Sequence, residues 1–477
     1  MKQIVFDIEA NGLNPDKVWV IVAHELDTQE TKVFSGSTLY DFNTYIQDLH
    51  GDVYELIGHN IIDYDIPVLE RILGTDFGSC NVTDTLVLSR LADPQREGGH
   101  SLENWGQLLG CPKGEHNDWD NYSQEMVEYC KQDVLVNVKV YYALRSALSD
   151  FGSESISLEH QVQRIISKQI HNGWLLDQEG AFVLLAKLKE RKFELEDSVH
   201  NTFKPLPTFV RNVKPKFKKD ASLSVVGLKF LGEQWATVGG EFSRIDYPEF
   251  NLGSRQQIGR YLQYFGWKPK QFTEKGQAVV DESVLAKVTN IPEASMIAEY
   301  LLVQKRIAQV QSWLDAVEDD GRVHGYVNAN GTVTGRMTHS SPNMAQVPSS
   351  SAEYGKECRA CWTAPKGYKV VGMDASGLEL RMLAHYMNDE DYTNEILNGD
   401  IHTANQFASG VDTRSQAKTF IYAFLYGAGD EKIGSIVGGT ARDGRLLKEK
   451  FLSNTPSLRD LRERVSVASG RGYLYGL

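Results

Sequence analysis

An α/β fold spread over two to four domains is what this 477-residue sequence predicts. Three observations carry it. The first third alternates β-rich and helical segments. The middle reads as long helices interrupted by a basic, proline-rich stretch. The last third returns to short strands followed by helices. Hydrophobic residues at 41% and charged residues at 24% are ordinary for a globular chain.

Taken in order, KQIVFDIEA (2–10) and VWVIVAHEL (18–26) read as strands, and YELIGHNIIDYDIPVLERIL (54–73) as a strand running into a helix. SLENWGQLLG (101–110) and EMVEYCKQDVLVNVKVYYALRSAL (125–148) read as helices, and FGSES (151–155) as a linker. Helical text resumes over 158–173 and 179–203. KPLPTFVRNVKPKFKK (204–219) has six cations, no acid and three prolines, which predicts an extended loop. Helices follow near 254–265 and 293–317. The segments 321–339 and 369–387 look strand-rich, with an apolar strand ending at Asp374, and the remainder is mostly helical.

Several classes are set aside. No apolar run approaches the ~18 residues that span a membrane, so no membrane partner is expected. MKQIVFDIEANG meets Asp7 and Glu9 too early for a signal peptide. Five scattered cysteines argue for a reducing, cytoplasmic setting. Cys358 and Cys361 lack the second Cys/His pair of a zinc site and read as plain thiols. The net charge is −13, yet residues 1–150 hold 10 Lys and Arg against 25 Asp and Glu, and the rest holds 40 against 38. The acidity therefore sits in the first third, leaving basic surfaces elsewhere for a polyanion.

That acidic third contains a pattern. Asp7 and Glu9 are two apart on a strand and face the same way. Asp65 opens a helix, and Tyr129 and Asp133 share a helix face four residues apart. Four gathered carboxylates repel, and divalent cations remove the cost; oxygen ligands suit Mg²⁺ or Mn²⁺. Two such ions activate a water and stabilise the leaving oxygen of a phosphodiester, with Tyr129 orienting the water. This pattern resembles the tyrosine-containing DEDD 3′–5′ exonucleases of ribonuclease H-like fold. The resemblance implies Asp7, Glu9, Asp65 and Asp133 as metal ligands. Asp84 is taken as structural, and His59 as a packed, hydrogen-bonded residue.

A second pattern occupies 414–427, RSQAKTFIYAFLYG. Arg414, Lys418, Tyr422 and Tyr426 recur every four positions, so on a helix they form one slowly winding stripe. Two cations followed by two rings can hold a polyphosphate and then a base or sugar. Asp374 ends an apolar run, where a carboxylate with a neighbouring carbonyl can hold Mg²⁺, and Glu379 and His402 lie between it and the stripe. There is no GxxxxGK[ST] loop. DASGLELR, RSQAKTFIYAFLYGAGDEKIG and TGRMTHSSPNMAQVP together resemble the family A DNA polymerases of short-tailed phages.

That resemblance implies a ribonuclease H-like exonuclease domain (1–152), a thumb (153–320, with a basic tip insertion at about 204–250) and a partial palm and fingers (321–477). The polymerase part is a right hand, incomplete at its C-terminal end. It implies two Mg²⁺ (or Mn²⁺) ions per active site. Asp374 and the Ala375 carbonyl bind the catalytic metals. Glu379 selects deoxyribose, His402, Arg414 and Lys418 contact the triphosphate, and Lys418 also acts in catalysis. Tyr422 meets the incoming nucleotide, where a tyrosine implies tolerance of dideoxynucleotides. Tyr426 lies near the templating base, and Arg336, Asn343 and Gln346 grip primer–template DNA. The setting would be the host cytoplasm if a phage encodes the chain.

Two departures from the family are visible. No His-Asp-Glu turn follows the stripe helix, so the expectation is the N-terminal part of a split or interrupted polymerase, completed by a C-terminal fragment. The tip insertion looks shorter and differs in its second half; it could recruit a processivity factor such as thioredoxin, its six cations could track DNA phosphates, or it could be a plain solvated loop. The alternative reading is a stand-alone exonuclease and primer–template-binding protein with an inactive polymerase half, or a bare clamp.

Overall fold

The computed structural model describes residues 2–49, 54–78, 80–214, 216–222, 241–269, 271–285 and 288–471. It divides into two compact units, Met1–Val370 and Val371–Leu477.

The first unit opens with a five-stranded mixed sheet of order β3-β2-β1-β4-β5: β1 (Lys2–Ala10), β2 (Val18–Glu25), β3 (Thr31–Ser35), β4 (Tyr54–Gly58) and β5 (Asn81–Asp84). The first three strands pair antiparallel, and β1, β4 and β5 run parallel. Central β1 is covered on both faces, apolar along one and carrying Val5 with Asp7 and Glu9 on the other. Ile4, Phe6 and Ile8 pack among Phe42 and Leu69 of α1 (Asp41–Leu49) and α2 (Asp65–Leu73). Val5 packs on the other face against Met126, Cys130 and Val134 of α5 (Gln124–Ala147). Asp7 and Glu9 share Val5's side of the pleat, so period-2 alternation alone aims them at α5. The short helices α3 (Thr85–Ala92) and α4 (Leu102–Leu108) also pack on α5.

Two long helices follow, α6 (Ser153–Asn172) and α7 (Gln178–Thr202). The apolar stripe Leu184, Leu188, Leu195 and Val199 of α7 packs with Ile297, Tyr300, Val303 and Trp313 of the helix Glu293–Asp315. The basic stretch at 204–219 departs from the expected loop. Thr208–Val213 is a strand paired antiparallel with Phe242–Asp246. Pro205 and Pro207 precede the paired run, so no ladder donor is lost. Residues 223–240 of the tip insertion lie outside the described residues.

The compact division falls at Val370. Residues 321–370 fold back on the first unit: Trp174–Leu175 pairs with Arg322–Val323, and Leu176 bridges to Trp362. Cys358 and Cys361 are free thiols buried in the same core. The segment carrying Arg336, Asn343 and Gln346 contains a short hairpin, Tyr326–Asn328 with Thr338–Ser340.

The second unit is helical throughout its described elements, with Leu380, Tyr392, Phe420, Ile421, Ile433 and Phe451 in its core. The expected strand before Asp374 is not present. Residues 371–375 are irregular and unpaired, with Val371 81% and Met373 96% exposed. β-propensity describes how a side chain fits a sheet, and among the described residues no second strand pairs with this one.

Candidate active sites

A cleft of about 860 Å³ in the first unit is lined by Asp7, Glu9, Asp65, Tyr129 and Asp133 together. Each arrives by a local rule. Asp7 and Glu9 share one face of β1, and a register shift between Glu9 and Ala10 ends the regular pairing with β2. Asp65 is the first residue of α2, where the helix N-terminus favours an anion. Tyr129 and Asp133 stand one helical turn apart on α5. Behind them, the Cys130 thiol donates to the Asp7 carbonyl at 3.5 Å, which braces the strand.

The acids are deeply buried, with Glu9, Asp65 and Asp133 between 3% and 6% exposed. Burial, then Asp133, pushes the Asp7 carboxyl up to about 7; burial, then Asp7, pushes Glu9 up to about 10. Asp65 is raised by burial and by Asp7. Glu9 Oε1, Asp65 Oδ1 and Asp133 Oδ1 are buried with no hydrogen-bond partner. Orphaned buried acceptors are costly. A set of oxygen donors with no donor hydrogen to satisfy them fits hard divalent cations.

Asp84 spends its oxygens on backbone N–H groups: it caps α3 through Leu86 at 2.9 Å and accepts from Asn60 and Ile62 at 2.9 and 3.1 Å. It shapes the turn that leads into Asp65. His59 bonds the Thr85 hydroxyl at 2.9 Å, and burial lowers its pKa to about 3, so it is neutral near pH 7.

Three cleft residues escaped the sequence reading. Lys113 lies 2.5 Å from Asp133 Oδ2, with its ammonium 5.1 Å from the Tyr129 ring centre. A signal for it existed: it is the lone Lys or Arg among seven acids over residues 97–130. Arg90 donates to the Tyr326 hydroxyl at 3.0 Å, and the Arg90 carbonyl accepts from Asn330, 3.4 Å away. These contacts seat the hairpin of the predicted primer-gripping segment on the rim of the acidic cleft. They join residues 236 and 240 positions apart, and no local pattern announces that. Of the three residues expected to grip DNA, Asn343 caps a 3₁₀ turn by accepting from Ala345, and the Gln346 carbonyl accepts from Gln309. Arg336 is exposed at the hairpin loop.

In the second unit the stripe helix is Arg414–Leu425, opened by a capping box between Thr413 and Gln416. Ala417, Phe420 and Ile421 are fully buried, and the stripe runs along the edge of that face, with Arg414 and Lys418 exposed and Tyr422 half-buried against the core. Tyr426 is the residue that ends the helix rather than part of it. The rings of His402 and Tyr422 lie 6.3 Å apart. Arg414 makes a bidentate pair with Asp400 at 2.6 and 3.0 Å, and Asp400 also caps the helix Ile401–Ser409. The Tyr426 hydroxyl donates to Glu379 at 3.1 Å. Burial, then Arg414 and Lys418, lowers the His402 pKa, so a neutral imidazole stands beside two cations. Glu379, His402, Arg414, Lys418, Tyr422 and Tyr426 thus come together. Asp374 and Ala375 lie in the exposed segment ahead of Glu379, and among the described residues Asp374 makes no hydrogen bond or ion pair.

A carboxylate cleft suited to divalent cations and a cationic, aromatic helix suited to a nucleoside triphosphate have the chemistry of an enzyme that works on phosphodiesters. Comparison with known proteins sharpens this class. Residues 229–474 match the model of DNA polymerase family A. The chain is 36% identical to the DNA-directed DNA polymerase of Escherichia phage T7, over 97% of this chain and 81% of that protein. It is also 36% identical to its counterpart in Enterobacteria phage T3, with the same coverage. The fold resembles that of a solved structure described as "POL domain of Pol1 from M. smegmatis complex with DNA primer-template and dNTP". The TM-score is 0.73 at 19% identity, covering 98% of this chain and 76% of that one. The chain belongs to DNA polymerase family A. Enzymes of this family are nucleotidyltransferases that use divalent metal ions. Among the described residues, no helix is long and apolar enough to cross a membrane.

Proposed function

We propose that this family A DNA polymerase carries a 3′–5′ exonuclease of ribonuclease H-like type within residues 1–152. One observation carries the reading: three buried carboxylates, the half-buried Asp7 and a tyrosine converge in one cleft, and three of the carboxylate oxygens have no protein partner. Asp7, Glu9, Asp65 and Asp133 would hold two Mg²⁺ or Mn²⁺ ions, which when bound supply an activated water and charge neutralisation. Tyr129 orients that water, and its position is set by the rings of Trp119 and His116, 5.7 and 5.9 Å away. A 3′-labelled single-stranded DNA tests the reading. Mg²⁺-dependent loss of the label, stopped by EDTA and abolished by Asp7→Ala or Glu9→Ala, is expected. Undiminished degradation by either variant would refute it.

In the second unit, Arg414, Lys418 and His402 take the triphosphate, with Lys418 also serving in catalysis, and Glu379 and Tyr422 face the incoming sugar and base. Tyr426 lies near the templating base. Asp374 and the Ala375 carbonyl serve the catalytic metals, and Arg336, Asn343 and Gln346 hold primer–template DNA. We read residues 153–320 as thumb and 321–477 as palm and fingers. The exposed Val371 and Met373 beside Asp374 support completion of the palm by a further polypeptide segment. Primer extension decides this: synthesis by the purified chain alone would remove the need for a partner. A thioredoxin-type factor and direct DNA contact remain the two roles for the basic tip, separated by a thioredoxin pull-down and by the salt slope after mutating Lys214, Lys216, Lys218 and Lys219.

A further inference from the structure

We propose that Lys113 is a phosphate-contacting residue of the exonuclease centre, paired with Asp133 while the centre is empty and transferred to the scissile phosphate when divalent ions take the carboxylates. The inference rests on the exonuclease reading above.

The placement of Lys113 is built rather than incidental. It sits in the loop between α4 and α5, with its ammonium 2.5 Å from Asp133 and its side chain 23% exposed. The loop is fixed on both sides of it. Cys111 N–H donates to the Gly106 carbonyl at 2.8 Å, and Gln132 donates to the Pro112 carbonyl at 2.8 Å. The Trp119 carbonyl accepts from the Trp19 indole at 3.0 Å. Gly114 lies against the Tyr129 ring, where a Cβ would come within 3.3 Å of Tyr129 Cδ2. A lysine held so rigidly gives up rotamer freedom that a solvated surface lysine keeps.

Charge balance says what it is for. Once all four carboxyls give up their protons they carry four negative charges, and Lys113 can offset a single one of them. Two divalent ions would neutralise all four and leave Asp133 with no need of the ammonium. The incoming phosphodiester adds one negative charge; Lys113 beside the carboxylates can match it, while the other cation of the lining, Arg90, is engaged with the Tyr326 hydroxyl on the rim. An ammonium is a compact point charge with three donors, suited to a non-bridging phosphate oxygen.

The test uses the whole chain, Ca²⁺ as a loading ion and a fluorescent single-stranded oligonucleotide with a free 3′ end. For Lys113→Met we expect oligonucleotide affinity in Ca²⁺ to fall by roughly ten-fold, with a log–log salt slope smaller by about 0.7. Affinity in EDTA should be nearly unchanged. Mn²⁺ alone should bind the variant several-fold more tightly, because its competing cation is gone. Lys113→Arg keeps the charge and should restore most of the oligonucleotide affinity. Should the methionine variant not fold, Lys113→Gln takes its place with the same expected losses, and unchanged Ca²⁺-dependent oligonucleotide affinity in it would overturn the proposal. Unchanged Ca²⁺ and Mn²⁺ behaviour with only a shifted melting temperature would reduce Lys113 to a structural lysine and overturn the proposal. A wild-type chain whose oligonucleotide binding ignores Ca²⁺ would overturn the exonuclease reading as well, so the two failures are distinct.

Discussion

Replacing Glu9 by glutamine should make the metal-free protein more stable and at the same time end its response to metal. Glu9 is 6% exposed, its Oε1 has no partner, and burial with Asp7, Asp133 and Asp65 raises its carboxyl from 4.5 to about 10. A carboxyl raised in the native state keeps its proton there while the unfolded chain loses it. Stability therefore falls as pH rises from the unfolded value toward the native one. At pH 7 the two and a half units already crossed correspond to about 3 kcal/mol, at ~1.36 kcal/mol per unit. Adjustment of the neighbouring acids takes up part of this, leaving roughly 2 kcal/mol. Glutamine has nearly the same shape, never ionises, and offers an amide N–H to the carboxylates around it. For a domain of 150–250 residues, 2 kcal/mol corresponds to a rise of about 4–8 °C in melting temperature. The assay is thermal unfolding of wild type and Glu9→Gln in EDTA and in Mn²⁺ at pH 7. In EDTA the variant should melt higher; in Mn²⁺ the wild type should gain and the variant should not. The difference in EDTA should shrink toward pH 4, where both states of the wild type hold the proton. A variant that melts at or below wild type in EDTA at pH 7 would show that the cluster carries no electrostatic strain, and the ion-binding argument would fail with it.

Divalent-ion affinity should rise with pH by as much as ~10-fold per pH unit for each proton displaced, less steeply above about 7, where Asp7 has already ionised, and still rising there because Glu9 holds its proton to about 10; calorimetric Mn²⁺ titrations between pH 5 and 8 give the slope. Phe420→Ala should destabilise the second unit by about 3–5 kcal/mol, because Phe420 is fully buried against Phe451 at 5.2 Å; denaturant unfolding measures it. Asp400→Asn keeps a helix-capping side chain but releases Arg414, and should tighten nucleoside triphosphate binding by roughly two- to five-fold in a fluorescence titration. Efficient chain termination by dideoxynucleotides is expected with Tyr422, and a terminator ladder reads it directly.

What was legible in the sequence had a period or a local spacing. Asp7 and Glu9 were readable because a strand repeats every two residues, and Tyr129 with Asp133 because a helix brings residues four apart together. The buried face of the stripe helix, Ala417, Phe420 and Ile421, follows from the same arithmetic. Tertiary placement was illegible. Lys113 reaches Asp133 from an irregular loop whose path is set by Gly106, Gln132 and Trp119, none of which advertises a cation. The pairing of Thr208–Val213 with Phe242–Asp246 joins segments about thirty residues apart in a run that composition marks as loop. The failure at Val371–Asp374 has the opposite cause. The segment has the composition of a strand, but composition cannot supply the neighbour that makes it one.

The two units use one device. In each, the charges expected to meet a ligand are already paired within the protein: Asp133 with Lys113, Arg414 with Asp400, Glu379 with the Tyr426 hydroxyl. Such pairs hold the side chains near their working positions and keep a cluster of like charges from pushing itself apart. They also mean that ligand binding is an exchange. On the proposed roles a metal ion would displace an ammonium and a triphosphate would displace a carboxylate, so the net affinity would be the difference between two similar electrostatic terms. Small changes at the displaced partner then alter affinity while leaving every direct ligand contact in place. The pairs differ in how strongly they resist exchange. Arg414 and Asp400 are both exposed, so water and salt screen them, whereas Asp133 is almost fully buried and its pair is screened much less. Rising ionic strength should therefore loosen the Arg414 latch well before it frees Lys113, and the two sites should respond to salt in different ranges.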